Sequence, residues 1–203
     1  GTTGTEDVEI NAAAVVVGSI SVESGAASLV ADASSKTAIR ATVLDISGDP
    51  VEGIGVDFAT TNGSLTGGGL TATANNNVNG IAEVEFTSQA TLGTATVTAR
   101  ANGFIKGVEV PFVAGPPTSI LLNARPDTIH PENTTTVTAT VADIAGNAVV
   151  GETVTFTIDQ NDSGGSFATP SAVTNINGIA TVVYNAGKNS GTDTVRAAAA
   201  SNG

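Results

Sequence analysis

The chain of 203 residues has 7 Lys and Arg against 19 Asp and Glu, a net charge of −12, and no Cys, Met or Trp. This balance excludes the clustered cations of a nucleic-acid-binding surface, and the lack of Cys excludes disulfides. Aromatic residues make up 3% of the chain, so a core must come mainly from Val, Ile, Ala and Leu, which suits a thin β-sandwich. The longest apolar run, residues 12–17, is six residues, far below the roughly 20 that span a bilayer. We expect no membrane insertion by this segment, and any signal peptide or anchor to lie outside it.

The first predicted element is an N-terminal arm, residues 1–18. Val8-Glu9-Ile10, followed by Ser19-Ile20, lies 100 residues before Val108-Glu109-Val110, followed by Ser119-Ile120. The later copy is predicted to be the last strand of a domain. The arm is therefore predicted to be the last strand of a preceding repeat.

Residues 19–115 are predicted to form the first domain. Apolar and polar residues alternate over 38–43 and 55–58, which predicts strands with these side chains inward: Ile39, Ala41, Val43, Val56 and Phe58. Asn79-Gly80 precedes another alternating stretch and predicts a hairpin in which both residues take positive φ. Strands over 93–99 and 104–113 complete the domain. The prolines of the linker, Pro116 and Pro117, predict a semi-rigid connection to the next domain.

Residues 116–203 are predicted to form a second domain, because the same motifs return 98 residues later. Val43–Gly53 reappears as Val141–Gly151, and Asn79–Ala82 reappears as Asn177–Ala180. With strands only and frequent turns, the sequence predicts an all-β fold of two tandem Ig-like Greek-key β-sandwich domains.

The second domain is predicted to lack its last strand, because Asn202-Gly203 matches Asn102-Gly103, which precedes that strand in the first. A sandwich without an edge strand accepts an added strand. We expect residues 6–17 of one molecule to complete the second domain of another in head-to-tail self-association. The alternative is an arm that folds back locally or frays.

Residues with catalytic chemistry are too few for an active site. His130 is the only histidine and precedes a proline, so it cannot build a triad or a multi-histidine metal site alone. Ser64 and Ser166 lack the Gly-x-Ser-x-Gly elbow and a partner base. We predict no enzyme, no catalytic residues and no cofactor.

Acidic residues surround the turn that is repeated in the two domains. They are Asp45, Asp49 and Glu52 in the first copy, and Asp143 and Glu152 in the second. Calcium needs several converging oxygen ligands, and the chain has no EF-hand or dense Asp-x-Asp pattern. We predict that Asp45 and Asp143 accept hydrogen bonds from turn amides as Asx turns, with calcium as the alternative.

The motif Val-x-Asp-x-x-Gly-x-Pro-Val-x-Gly at 43–53, followed by Val56-x-Phe58 and Asn79-Gly80-x-Ala82, resembles the bacterial Ig-like group 1 repeats of the invasin and intimin adhesins. The second copy departs in having Ala148 where the first has Pro50. The resemblance implies an extracellular stalk of a bacterial cell-surface protein, anchored in the outer membrane through its parent chain. In that family receptor binding generally belongs to a C-terminal tip, and no functional residue carries over.

Two functions follow as hypotheses. The first is a non-enzymatic structural spacer for cell adhesion, in contact with adjacent Ig-like repeats and presenting a distal binding domain. The second is an adhesive module that binds glycan or a host or bacterial surface protein through loops such as Thr61–Leu70 and Gln160–Pro170, which differ between the copies. A glycan binder normally presents exposed aromatic side chains, of which this chain has few.

Overall fold

Two β-sandwiches follow each other in the computed structural model, which describes residues 16–202. The strands of the first are β1 (Val17–Ser24), β2 (Leu29–Val30), β3 (Lys36–Asp45), β4 (Gly55–Thr60), β5 (Ser64–Leu65), β6 (Thr71–Asn75), β7 (Ile81–Thr87), β8 (Gly93–Ala101) and β9 (Phe104–Val113). Those of the second are β10 (Ser119–Arg125), β11 (Thr134–Ala142), β12 (Thr153–Asn161), β13 (Ser166–Phe167), β14 (Ser171–Val173), β15 (Ile179–Asn185) and β16 (Asp193–Ala199). A 3₁₀ turn covers Ala200–Asn202. No helix within residues 16–202 is long and apolar enough to cross a membrane.

Each sandwich pairs two sheets, and the strand orders of the two domains match except that, within residues 16–202, the second domain has no counterpart of β2 and β9. The first domain has a sheet β1-β3-β7-β5 and a sheet β2-β9-β8-β4-β6, and the second has β10-β11-β15-β13 and β14-β12-β16. All pairs are antiparallel except β2 with β9. The all-β tandem sandwich is confirmed. The predicted arm falls mostly on residues 1–15, which lie outside the described part, and β1 begins at Val17.

The core of the first domain follows the predicted alternation. Ile39, Ala41 and Val43 on β3 are 0% exposed, as is Val56 on β4, because alternate residues of a strand point to the same face. Phe58 packs in the same cluster, to which both sheets contribute. Burial of these apolar side chains from two facing sheets provides the main free energy of folding.

The second domain repeats this core with fewer fully buried residues. Val137, Ala139 and Val141 on β11 face inward, as predicted, together with Val154 and Phe156 on β12. Several other apolar side chains of this core are only partly buried: Ile120, Leu122, Ala124, Ile129, Ile158, Val195 and Ala197. The second core is therefore less completely covered than the first.

The Asn79-Gly80 turn differs from the prediction. Gly80 has a φ of 74°, whereas Asn79 is not among the residues with positive φ, and the turn joins β6 to β7, which belong to different sheets. It is therefore a connection between sheets and not a hairpin, because alternation alone does not reveal which strands pair. Glycine is required at position 80, since a Cβ there would lie 2.5 Å from the carbonyl oxygen of Val43.

A buried side chain fixes the loop between β3 and β4 in each domain. In the first, the Asn76 side chain accepts a hydrogen bond from the amide of Ile54 (2.6 Å) and donates one to the carbonyl of Val51 (2.6 Å). Thr174, at the same place 98 residues later, donates to the carbonyl of Val149 (2.7 Å) and accepts from the amide of Glu152 (2.8 Å). Each side chain satisfies one donor and one acceptor of the loop.

We expect Asn76→Ala to destabilise the first domain by about 2–3 kcal/mol, because the backbone groups of Val51 and Ile54 lose their partners away from water. Asn75→Ala, at the neighbouring exposed position, is the matched control and should change stability by less than about 0.5 kcal/mol. Native-state hydrogen exchange of the β3 amides measures both. Equal effects of the two variants would contradict this role for Asn76.

Candidate functional site

The turn after β3 is an exposed Asx turn in the first domain. The Asp45 carboxylate accepts hydrogen bonds from the amides of Ser47 (2.7 Å) and Asp49 (2.9 Å). Asp49 itself is exposed, and its backbone carbonyl accepts from the amide of Asp45 (2.9 Å). The predicted Asx turn is confirmed here, and the turn makes its contacts within its own domain.

In the second domain the aspartate of the same turn is buried, although Ile144, Ala145 and Gly146 at the tip stay exposed. Asp143 is 4% exposed and accepts hydrogen bonds from the amides of Ala145 (2.9 Å) and Asn147 (2.8 Å), which confirms the second Asx turn. Its other carboxylate oxygen accepts a bond from the amide of Gly115 (2.9 Å), in the linker. One carboxylate therefore closes the turn and holds the segment that connects the two domains.

Asn147 carries the contact across to the first domain. Its Nδ2 lies 3.0 Å from the carbonyl oxygen of Ala31 and 3.1 Å from that of Ala90, and 3.1 Å from the Asp143 carboxylate. Ala31 and Ala90 lie at the end of the first domain opposite the Asp45 turn. We call this group of Asp143, Asn147, Gly115, Ala31 and Ala90 the joint.

A second carboxylate, that of Asp32, holds together the two loops on the first domain's side of the joint. It accepts hydrogen bonds from the amides of Ser34 (2.8 Å) and Ser35 (2.6 Å) and from the hydroxyl of Ser88 (3.2 Å). Asp32 thereby connects the loop that presents the Ala31 carbonyl to the one that presents the Ala90 carbonyl. The hydrogen bonds from the backbone amides of Ser35 and Ser34 stabilise the charged form and hold the pKa of Asp32 well below its usual value.

The charge state of Asp143 depends on opposing effects. Burial raises the pKa of its carboxyl group, but hydrogen bonds from the backbone of Gly115 and from Asn147 stabilise the carboxylate and outweigh burial. The pKa of Asp143 therefore lies below its usual value. The carboxylate is charged at neutral pH and functions as an acceptor of hydrogen bonds.

The remaining predicted calcium ligands do not converge on these turns. Glu52 is exposed, and Glu152 accepts a hydrogen bond from the amide of Ser201 (3.0 Å) near the end of the chain. No three His, Cys, Asp or Glu side chains group together as a metal site within residues 16–202. The oxygens of Asp45 and Asp143 are used by backbone amides.

The other candidate residues lie apart from each other. His130 is exposed in the loop before β11, Ser64 lies half-buried in the short strand β5, and Ser166 is exposed in β13. None contacts the joint. The joint itself was not predicted from the sequence, although a signal exists: within a closely repeated motif, the turn of the first domain has Asp49 where the turn of the second has Asn147.

A cleft of about 380 Å³ opens between the edges of the two sheets in the second domain. Tyr184, Asp193 and Ser163 meet at its wall: the tyrosine hydroxyl donates to the Asp193 carboxylate, and the Ser163 amide donates to it as well (2.9 Å). Burial, together with Asp193, raises the pKa of Tyr184. The polar groups of all three side chains have hydrogen-bond partners within the domain.

Comparison with known proteins shows which protein domains and solved structures this chain resembles. Residues 16–115 match the family model described as Invasin, domain 3. One similar solved structure is that of FdeC, described as a novel broadly conserved Escherichia coli adhesin eliciting protection against urinary tract infections. It is 19% identical in sequence, the alignment covers 92% of this chain and 62% of that chain, and the TM-score is 0.63. InvD of Yersinia pseudotuberculosis is also 19% identical, with 89% and 52% covered and a TM-score of 0.68.

The chain thus spans about half to three fifths of the length of these two solved chains, and at such identities they show the fold alone. A search of curated protein sequences found no match. The family model and the shared tandem sandwich confirm the resemblance that the motifs predicted. Residues 16–115 are therefore similar to an invasin-type domain, and the tandem Ig-like sandwich fold is shared with these adhesin structures.

Proposed function

We propose that this chain is a structural spacer, a stiff part of the stalk of a bacterial cell-surface adhesin that presents a distal binding domain. The joint is the observation that carries the proposal. A segment whose purpose is to span distance must transmit the orientation of one domain to the next. The hydrogen bonds of Asp143 and Asn147 do this with backbone partners, whose positions are fixed by the folds on each side.

The linker supports the same function. Pro116 and Pro117 restrict the backbone immediately after Gly115, whose amide is bound by Asp143. The amide of Thr118 then donates to the carbonyl of Ala142 (2.9 Å), which brings the chain directly into the second domain. A linker that is attached at both ends and contains two prolines has few conformations to lose, so the joint is stabilised at a small entropic cost.

The composition fits a surface location. A net charge of −12 keeps an exposed rod soluble and limits nonspecific association, and a fold without cysteine needs no oxidising machinery. We place the chain outside the cell, on a parent protein anchored in the outer membrane. The function requires neither catalytic residues nor a cofactor.

Direct adhesion through Thr61–Leu70 and Gln160–Pro170 is the alternative. Its support is weaker, because five of the seven aromatic side chains are at most 6% exposed: Phe58, Phe86, Phe112, Phe156 and Tyr184. Phe167 is partly buried, and Phe104, which is 41% exposed, lies outside both loops. A flat aromatic platform for a sugar ring is therefore missing from the two loops.

A binding screen separates the two functions. The full chain is applied to glycan arrays and immobilised extracellular-matrix proteins, next to a variant in which residues 66–69 are replaced by Ser-Asn-Ser-Asn. We expect no saturable binding by either protein. Saturable binding by the natural chain that the loop variant loses would replace the spacer with the adhesive module.

The joint gives a second prediction, with a control built into the repeat. Asn147→Asp removes the donor to Ala31 and Ala90 and sets a second carboxylate beside Asp143, so the two domains should reorient independently. Asp49→Asn makes the reverse change in the exposed turn and should leave the motion unchanged. The rotational correlation time of each domain, from ¹⁵N relaxation, should fall by about a third or more in Asn147→Asp alone, since each domain then tumbles as a smaller body. Unchanged correlation times in Asn147→Asp would show that these bonds do not couple the domains.

The lowered pKa of Asp143 predicts a pH dependence of the joint. Because the pKa is lower in the folded protein than the roughly 3.9 of a free aspartate, the stabilisation is fully present above that value and is lost as the pH falls through the folded pKa. An NMR titration of the Asp143 carboxyl carbon should show the lowered pKa, with loss of domain coupling over the same range. Asp143→Asn should weaken the coupling at neutral pH and remove this dependence. A carboxyl that titrates at or above the free value would contradict the account.

A further inference from the structure

Strand β6 of the first domain is a sheet edge without the usual protection against strand pairing. It ends the sheet β2-β9-β8-β4-β6. The other edges of this domain are protected, because β2 and β5 have two residues each and β1 contains a bulge between Val17 and Ser19. β6 has five residues and no proline, and no charged residue lies anywhere between positions 58 and 82. It therefore offers a long, uncharged edge.

The same edge is shortened in the second domain. Pro170 stands 98 residues after Ala72, in the place of that residue, and β14 begins only at Ser171 and has three residues. A proline and a short length are two of the means by which edge strands avoid pairing with other chains. The two copies of one fold thus differ at this edge, and only the first keeps a full strand there.

Alternate residues of β6 direct their backbone groups away from the sheet. The amide of Thr60 donates to the carbonyl of Leu70 (2.9 Å), which fixes the phase of the ladder between β4 and β6. Hydrogen-bonded and non-hydrogen-bonded pairs alternate in an antiparallel ladder, so odd-numbered residues of β6 point their amides and carbonyls outward: Thr71, Thr73 and Asn75. All three are exposed, and β6 has no second neighbour in its sheet among the described residues.

We propose that β6 of a second copy of this chain pairs antiparallel with this edge, so that two first domains share one continuous sheet. The strand complements itself. The register that uses all five residues sets Thr73 opposite the partner's Thr73, and Thr71 opposite the partner's Asn75 on each side. Each of these facing pairs exchanges two backbone hydrogen bonds between the outward groups. Because the same strand serves both copies, two-fold symmetry closes the assembly at a dimer.

The side chains and charges near this edge permit such a pair. Ala72 and Ala74 on the inner face are small, and two facing threonines at position 73 form a favourable cross-strand pair. The nearest charge is that of Asp57 on β4, whose carboxylate accepts a hydrogen bond from the Thr73 hydroxyl (2.8 Å). Three strand spacings would separate the two Asp57 residues, about 14 Å, which exceeds the screening length of about 8 Å at physiological salt.

The pairing sets the two chains in opposite directions. In the first domain β3 starts at Lys36, soon after Asp32 at the joint, and ends at the Asp45 turn at the far end. The strands of the two packed sheets lie within about 30° of each other, so β6 runs along the same direction. Chains attached to one surface point the same way. On the proposed surface location, on which this consequence alone rests, the dimer therefore joins chains from two facing surfaces.

Sedimentation of the full chain at concentrations up to about 1 mM tests the pairing, because a contact through one strand lies at the weak end of specific interfaces. We expect the weight-average mass to rise toward that of a dimer and no further. Thr73→Lys sets two like charges opposite each other and should weaken dimerisation at least about tenfold. Thr94→Lys makes the same charge change at an exposed position of β8, away from the edge, and should have little effect. A chain that stays monomeric throughout, growth beyond a dimer, or equal losses in the two variants would overturn the proposal.

Crosslinking tests the register, and the chain has no cysteine of its own to interfere. Under oxidising conditions Thr73→Cys should form a disulfide dimer at least about ten times faster than Thr71→Cys. Directly facing residues have Cα atoms about 5.5 Å apart, whereas two residues at position 71 would lie about 13 Å apart or more. A mixture of Thr71→Cys and Asn75→Cys should crosslink as fast as Thr73→Cys alone. Equal rates for Thr73→Cys and Thr71→Cys would rule out this pairing. Both experiments use free chains in solution, so failure of the dimer is distinct from failure of the spacer function.

Discussion

The orientation of the two domains depends on one buried carboxylate. Asp143 accepts hydrogen bonds from its own turn and from the Gly115 amide of the linker, so the folding of the second domain and its attachment to the first share a single group. Because that carboxylate orders the turn, it also places Asn147 against the backbone carbonyls of Ala31 and Ala90. A buried charge is tolerated here since every oxygen has amide partners.

The two domains use one motif in two ways. The Asp45 carboxylate binds only amides of its own turn, whereas Asp143 is buried and also binds the linker, and Asn147 of the same turn contacts the first domain. The receiving end differs as well, since the place of Asp32, which connects two loops at the joint, is held in the second domain by the exposed His130. Domains of similar fold can therefore differ at their ends, so that each contact between neighbouring domains is specific.

The fold could be predicted from the sequence because strands bury alternate residues, and this rule places Ile39, Ala41 and Val43 correctly without knowledge of their partners. The Asx turns were predictable for a similar reason, since an aspartate next to turn amides acts locally. The Asn79-Gly80 prediction was wrong because the pairing of strands is not local. The partners of Asn147 could not be predicted, because they are backbone carbonyls, which every residue has; the sequence shows only that Asn147 stands where the first repeat has Asp49.

The central claim is that the joint holds the two domains in one orientation, and residual dipolar couplings of the unmodified chain test it most directly. The chain is kept dilute, so that association between copies does not contribute to alignment. If the joint is fixed, couplings from the amides of both domains fit one alignment tensor when the coordinates of residues 16–202 are treated as one rigid body. Two tensors of different magnitude, each fitting only one domain, would contradict the claim.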